Sequence, residues 1–438
     1  MKKNFFLLLL FIGSLSARSQ DSFPFKIAVE PLFIEGFNGL QSYAWAKNGN
    51  QVLLVGGRKD GLHRRQPFAS FSKKENNTEI IVIDLEKNRS WKKSVLSLPA
   101  SLAEQLQSSN MQFYQHRNEL ILTGGYGYSE TRKDHITHPS LVIIKVKELI
   151  QAVINDQDIS GLFQQIVHEK MAVTGGRLHQ LGDTYYLVGG QKFDGRYNPH
   201  GPDHGPGFSQ QYSNQVRTFK VTVKEDQPLI TDYKAITDTA LFHRRDYNLL
   251  PQYDLNGNEM LTIYSGVFRP DKDLPYTTLV DITADQHREL TGFNQQFSHY
   301  HTAFLPIYDQ AKKTQYAIFF GGIALQYRSD SGLLKTDDQV PFVKHFSVVE
   351  RSPAGTTEYL LPEGFIGYFG AAAEFIPADP KLFTSNGMLI AAKAGRKSVT
   401  AGYIIGGIDS RAQNVFWSND PAASRASPVI WKINIAGK

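Results

Sequence analysis

Short runs of large apolar residues recur along the chain, and each ends in a pair of small ones. Val52-Leu53-Leu54-Val55 runs into Gly56-Gly57, Leu120-Ile121-Leu122-Thr123 into Gly124-Gly125, and Tyr185-Tyr186-Leu187-Val188 into Gly189-Gly190. Leu261-Thr262-Ile263-Tyr264 precedes Ser265-Gly266, Ala317-Ile318-Phe319-Phe320 precedes Gly321-Gly322, and Tyr403-Ile404-Ile405 precedes Gly406-Gly407. The first small residues lie 68, 65, 76, 56 and 85 positions apart. Such self-similarity marks a repeated supersecondary unit rather than a series of unrelated domains. An unbroken apolar run of this length bounded by Gly reads as a strand buried on both faces. The paired Gly permits positive φ and close backbone approach where that strand leaves the core.

Each run has a partner strand upstream, joined by turn chemistry. Residues 43–46 lead into Lys47-Asn48-Gly49-Asn50, residues 112–115 into His116-Arg117-Asn118, residues 178–181 into Gly182-Asp183, and residues 247–253 into Asp254-Leu255-Asn256-Gly257-Asn258. Asn-Gly between apolar runs is a strong hairpin signal. After each pair comes a loop of varied length and then an alternating strand, clearest at 79–85, 140–146, 216–223 and 277–282. Two inner strands, a loop and two outer strands make a four-stranded antiparallel blade. No blade buries both faces alone, so the expected fold is all-β: a six-bladed β-propeller. Its ring is closed by strands from both ends, 429–435 beside 25–29 as the outer strand of the same blade. Val146, Leu149, Ile150, Val153 and Ile154 follow helical spacing, and a second short helix is expected from Pro99 through Gln107.

Composition narrows the chemistry. The 438 residues are 41% hydrophobic and 12% aromatic, a globular balance, and contain no Cys. That removes disulfides, thiolate metal sites, Cys nucleophiles and a lipid-modified N-terminal Cys. Met1-Lys2-Lys3, an apolar stretch at 5–12 and the small-residue exit Gly13-Ser14-Leu15-Ser16-Ala17-Arg18-Ser19 describe a secretory signal peptide over 1–19, cleaved before Gln20. Its short form looks bacterial, and the mature chain, 20–438, is expected to be periplasmic or secreted. No other segment approaches the ~20 apolar residues of a spanning helix, so no membrane insertion is expected. Cleavage removes three bases and no acid, lowering the formal charge from +5 to +2. With no basic block remaining, a nucleic-acid partner is not expected.

The Gly-Gly ending of the second strand resembles that of kelch-type propellers, and the resemblance covers essentially residues 25–435. Blade 1 adds Asp84-Leu85-Glu86-Lys87-Asn88-Arg89-Ser90-Trp91, similar to the third strand, turn and Trp of that family. The chain departs from it in three ways: longer repeats than the ~50-residue kelch unit, no such Trp in later blades, and Ser265 in place of a Gly. Kelch-based copper oxidases need a Cys cross-linked to Tyr, which this chain lacks. Some bacterial six-bladed kelch proteins mutarotate sialic acid, and their layout is similar to this one.

Inner strands of a propeller line its axial channel. Here their starts read Gln41-Ser42-Tyr43, Asn110-Met111-Gln112, Gly176-Arg177-Leu178-His179, His243-Arg244-Arg245-Asp246-Tyr247, His299-Tyr300-His301 and Gly367-Tyr368-Phe369-Gly370. From these the candidate ligand-binding residues are Tyr43, Arg177, His179, Arg244, Arg245, Asp246, His299, Tyr300 and His301. Guanidinium groups bind carboxylate or phosphate in bidentate fashion and aromatic faces stack on flat rings, which together suit an anionic saccharide. The competing reading is that these groups hydrogen-bond between blades, since alternation turns about half of them away from the axis. Carboxylates are scarce: only Asp246 and Glu374, the latter placed late in its strand. His200, Asp203 and His204, in the Gly- and Pro-rich loop from Asp194 to Gly207, have metal-ligand side chains. A rigid covering loop is the favoured reading there, and neither metal nor cofactor is expected. Nucleophile-elbow, phosphate-loop and zinc-helix motifs are absent. Two functions stay open: a binding module for a glycan, sugar acid or protein partner, and a cofactor-independent mutarotase or epimerase acting on an anionic sugar.

Overall fold

The computed structural model describes residues 23–64, 69–198, 207–225, 227–329, 331–418 and 420–438. The signal segment lies outside them, as do His200, Asp203 and His204. Six antiparallel sheets form a six-bladed propeller. Their inner strands are Ala44–Asn48, Gln112–His116, Arg177–Leu181, Asn248–Tyr253, Phe304–Asp309 and Ala373–Pro377, in blades 1 to 6. Blade 6 closes the ring in the way the sequence predicts. Its third strand, Ile430–Gly437, pairs with Phe25–Leu32 as the outermost strand, in register from Phe25 opposite Gly437 to Leu32 opposite Ile430. The core is a ring of inter-blade layers; Phe320, Phe346, Phe375 and Trp431, for example, fill the space between blades 5 and 6.

The Gly pairs have a mechanical reason. Gly124 has φ +63°, and a Cβ there would stand 1.9 Å from the Val173 carbonyl oxygen of the next blade. With no side chain in the way, the second residue of the pair reaches that same carbonyl: Gly125 N donates to Val173 O at 2.9 Å. The bond recurs from Gly57 to Ser108, Gly190 to Arg244, Gly322 to Phe369 and Gly407 to Leu40. Each pair is therefore a clasp onto the neighbouring blade. In blade 4 Ser265 adopts φ 55° and makes the clasp with its side chain, Oγ donating to Ser298 O at 2.7 Å.

Insertions account for the uneven repeat length. The helix Val146–Ile154 buries Leu149, Ile150 and Val153, and the helix Ala100–Gln105 opens one residue later than expected, with Pro99 as its N-cap. Two-stranded hairpins follow the Gly pairs of blades 2, 3, 5 and 6 on what is here called the upper face. On the opposite, lower face, residues 378–398 connect the first two strands of blade 6 and cause the spacing of 85. This strap places Leu389–Ile390 in parallel pairing beside the inner strand of blade 5. It also carries Ser385 to Glu259 and Asn386 to Tyr253, both in blade 4. Among the described residues no helix is long and apolar enough to cross a membrane.

Candidate functional site

At the upper end of every inner strand one residue takes up left-handed backbone: Ser42, Asn110, Gly175, Asp246, His301 and Ala372, with φ between 42° and 66°. The residue before each sits in a backbone rung with the first residue after a Gly pair, as in Gln41–Arg58, Thr174–Gln191 and Arg245–Val267. The left-handed residues also bond to one another around the axis. Asn110 N donates to Ser42 O at 3.0 Å, Gly175 N to Asn110 O at 3.4 Å and Asp246 N to Gly175 O at 2.7 Å. Ala372 N donates to His301 O at 2.7 Å, and Ser42 N to Ala372 O at 3.1 Å. At the blade 4–5 junction the Asn248 amide makes the link, donating to His299 O at 2.9 Å and accepting from Thr302 N at 3.1 Å. This collar is the throat of the channel.

The collar suspends the ordinary alternation of side chains. A left-handed residue turns the chain so that two consecutive side chains reach the channel. Arg245 and Asp246 both line the upper chamber, and so do Tyr300 and His301. Their neighbours Arg244 and His299 are turned away and wholly buried. Arg244 is spent on carbonyls, donating to Leu241 O at 3.0 Å, Ser265 O at 3.1 Å and Thr278 O at 2.7 Å, with Tyr276 beneath it at 4.0 Å. His299 Nδ1 contacts Gly321 O at 2.5 Å. Tyr43 holds blades together, its hydroxyl donating to Ile405 O at 2.7 Å, and Tyr247 does the same to Val188 O. Arg177 and His179 lie below the collar, lining a lower chamber. The nine predicted residues thus divide: four at the upper chamber, two at the lower, and three (Tyr43, Arg244 and His299) occupied by bonds within the blades.

The upper chamber, of about 270 Å³, is walled by all six blades. One wall is aromatic. His63 stacks on Phe71 with centroids 4.7 Å apart, Phe71 meets Tyr126 edge-on at 5.2 Å, and Tyr126 meets Phe193 at 5.4 Å. Opposite stand Arg245, Asp246 and His301. The Arg245 guanidinium bonds the Tyr212 hydroxyl, lies 3.5 Å from Asp246, and sits 5.0 Å from the Phe268 ring centroid. His301 Nδ1 is 3.8 Å from Asp246 Oδ1. Burial raises the Asp246 carboxyl above its ordinary value, against the pull of Arg245 and Arg177. Burial, then Arg177, lowers the His301 imidazole to about 3. Arg58, also in this chamber, is bound to Asp60 by two bonds of 2.9 and 2.5 Å and to Asn76 at 2.9 Å. Of the cation-biased pocket expected from the strand starts, this chamber holds Arg245 beside Asp246, joined by Arg58 beside Asp60.

Sequence reasoning passed over Arg58, Tyr126 and Gln191. The signal for them was present, because the first residue after the Gly pair lines this chamber at Arg58, Tyr126, Gln191, Val267, Ile323 and Ile408. It also misplaced Glu374, which is the second residue of its strand rather than a late one. Glu374 lies on the axis, where Arg177 Nη1 reaches its Oε1 at 2.9 Å. That pair separates the collar from the lower chamber of about 560 Å³. There Lys47 Nζ donates to Pro377 O at 2.6 Å and to Ala378 O, and burial lowers its amine to about 8. Burial likewise lowers His179 to about 4. No group of three or more metal-ligand side chains is found among the described residues. No protein-family model matches the chain, and no curated protein matches it.

Proposed function

We propose that this is an exported, kelch-like bacterial propeller that binds a small saccharide, glycan end or sugar acid at its upper chamber. The observation that carries the reading is the facing arrangement of the His63–Phe71–Tyr126–Phe193 wall and the Arg245–Asp246–His301 group across one cavity. Aromatic faces pack against the C–H faces of a sugar ring. Asp246, Gln191 and Asn110 offer hydroxyl partners, and Arg245 suits a carboxylate. A volume of about 270 Å³ is at the small end for ligand pockets and favours a monosaccharide-sized group. Export rests on the first 19 residues, and N-terminal sequencing of secreted protein should begin at Gln20.

The test is calorimetric titration with neutral monosaccharides and sugar acids, sialic acid included. Arg245→Ala should weaken the sugar acids at least ten-fold and the neutral sugars much less. If no sugar binds a normally melting protein at millimolar concentration, a protein partner replaces the saccharide as the occupant.

A second reading, enzymatic, is favoured by the Asp246–His301 contact. A carboxyl held up and an imidazole held neutral, 3.8 Å apart in left-handed backbone, form an acid–base pair able to move a proton on and off a ring oxygen or anomeric hydroxyl. Mutarotation of a sugar needs no more than that and no cofactor.

A further inference from the structure

We propose that the lower chamber is a second ligand site, independent of the upper one, which takes a small planar aromatic carboxylate. Three residues beyond each collar residue, the chamber lining carries Trp45, Phe113, Leu178, Leu249, Phe304 and Phe375, one from every blade. Four of the six are aromatic. Two residues further down, three blades present Pro251, Pro306 and Pro377. An apolar belt of this kind, joined in the lining by charged and polar side chains, suits a small-molecule pocket, and about 560 Å³ is a typical size for one.

The charged side chains of the lining are mainly cationic, Lys47, Arg117 and Arg177 against the single carboxylate Glu374. Lys47 has three N–H bonds and spends two on Pro377 and Ala378. Asn386, on the strap, is buried, and its Oδ1 accepts from Tyr253 and Thr384. Its Nδ2 is also buried and has no hydrogen-bond partner. That nitrogen has no surface on the chamber, so the donor open to a ligand is the third N–H of Lys47, which lines it. The one carboxylate lining the chamber, Glu374, already faces Arg177. Acceptors on an aromatic body therefore complement this chamber.

The experiment titrates the full protein with 2-naphthoate, following tryptophan fluorescence and heat, with 2-naphthalenemethanol as the uncharged control. The acid should bind and quench, at least ten-fold more tightly than the alcohol. Lys47→Gln should weaken it at least five-fold, while Arg245→Ala in the upper chamber leaves it unchanged. Trp45→Phe should remove most of the quenching but keep the heat of binding, which locates the ligand even if the other variants fold poorly. Absence of binding by the intact protein at millimolar acid would overturn the site. Equal affinity for acid and alcohol would overturn the ligand class. Loss of binding in Arg245→Ala would place the probe in the upper chamber and overturn the independence of the two.

Discussion

Arg177 and Glu374 meet at 2.9 Å across the axis of the wheel, from equivalent positions on the diametrically opposed blades 3 and 6. Both positions lie two residues beyond the collar, and their side chains are only 18% and 12% exposed. A ring of six blades has three such diameters, and this one is bolted by charge.

Removing one end of the bolt leaves a poorly solvated charge. Glu374→Leu or Arg177→Met should destabilise the protein by about 3 kcal/mol, the low end for a buried pair because neither group is fully dry. Arg177→Met with Glu374→Leu should recover most of the loss. A double-mutant cycle from urea denaturation checks both figures.

Glycine at the clasps is required by the neighbouring blade, whereas glycine at the hairpin turns is required only by backbone. Gly124→Ala would press a methyl group into the Val173 carbonyl and should cost at least about 3 kcal/mol. Gly182 has a similar φ of +59° with nothing within 4 Å of a Cβ, so Gly182→Ala should cost only about 1 kcal/mol. Paired urea midpoints separate the two.

Acid should undo the fold through its histidines. Burial lowers His138, His179 and His299 to about 4, His301 to about 3, and His345 well below its ordinary value. Above pH 6.5 both folded and unfolded chains leave them neutral and the stability is complete. As pH falls from 6.5 towards 4 the unfolded chain takes up protons that the folded one refuses, and stability drops by up to ~1.4 kcal/mol per pH unit for each group. Glu358, raised to about 8 by burial, runs the other way, keeping a folded-state proton between 4.5 and 8 and offsetting about one histidine. Urea midpoints at pH 7, 5.5 and 4.5 should fall steadily, and His301→Asn should flatten the slope.

If the Asp246–His301 pair is catalytic, the protein should accelerate anomer exchange of a bound sugar acid, measured by NMR. Asp246→Asn should cut that acceleration by a factor of about 10² to 10⁴, the usual worth of one general acid or base, while leaving affinity nearly intact. Binding with exchange at the solution rate would leave the binding reading alone.

The fold was legible because its most repeated constraint is steric: only a residue without a side chain fits beneath the next blade's carbonyl, so the clasps are written as Gly-Gly. The hub was half legible. Arg244 and Arg245 are the same residue type in adjacent places, and the left-handed turn at Asp246 that sends one inward and the other into the carbonyls of blade 4 has no signature at Asp246 itself. Ser42, Asn110, His301 and Ala372 adopt that turn with unrelated side chains. Glu374 was misplaced because Gly367-Tyr368-Phe369-Gly370 resembles a strand start, whereas the inner strand of blade 6 begins at Ala373. The strap left only a long spacing as its trace. Its attachments, to Tyr253, Glu259 and the inner strand of blade 5, are side-chain and edge contacts that no local periodicity encodes.

The pairing of Phe25–Leu32 with Ile430–Gly437 sets an order of assembly. Glu30 and Asn434 touch across 404 positions of sequence, so this seam is the most expensive loop to close. A chain made from its N-terminus can stack its earlier blades as they emerge, but its leading strand must wait, unpaired, for the tail. Until that latch engages, a raw sheet edge is open to any passing strand, and whatever shelters it during those moments decides how much of the protein reaches the closed ring.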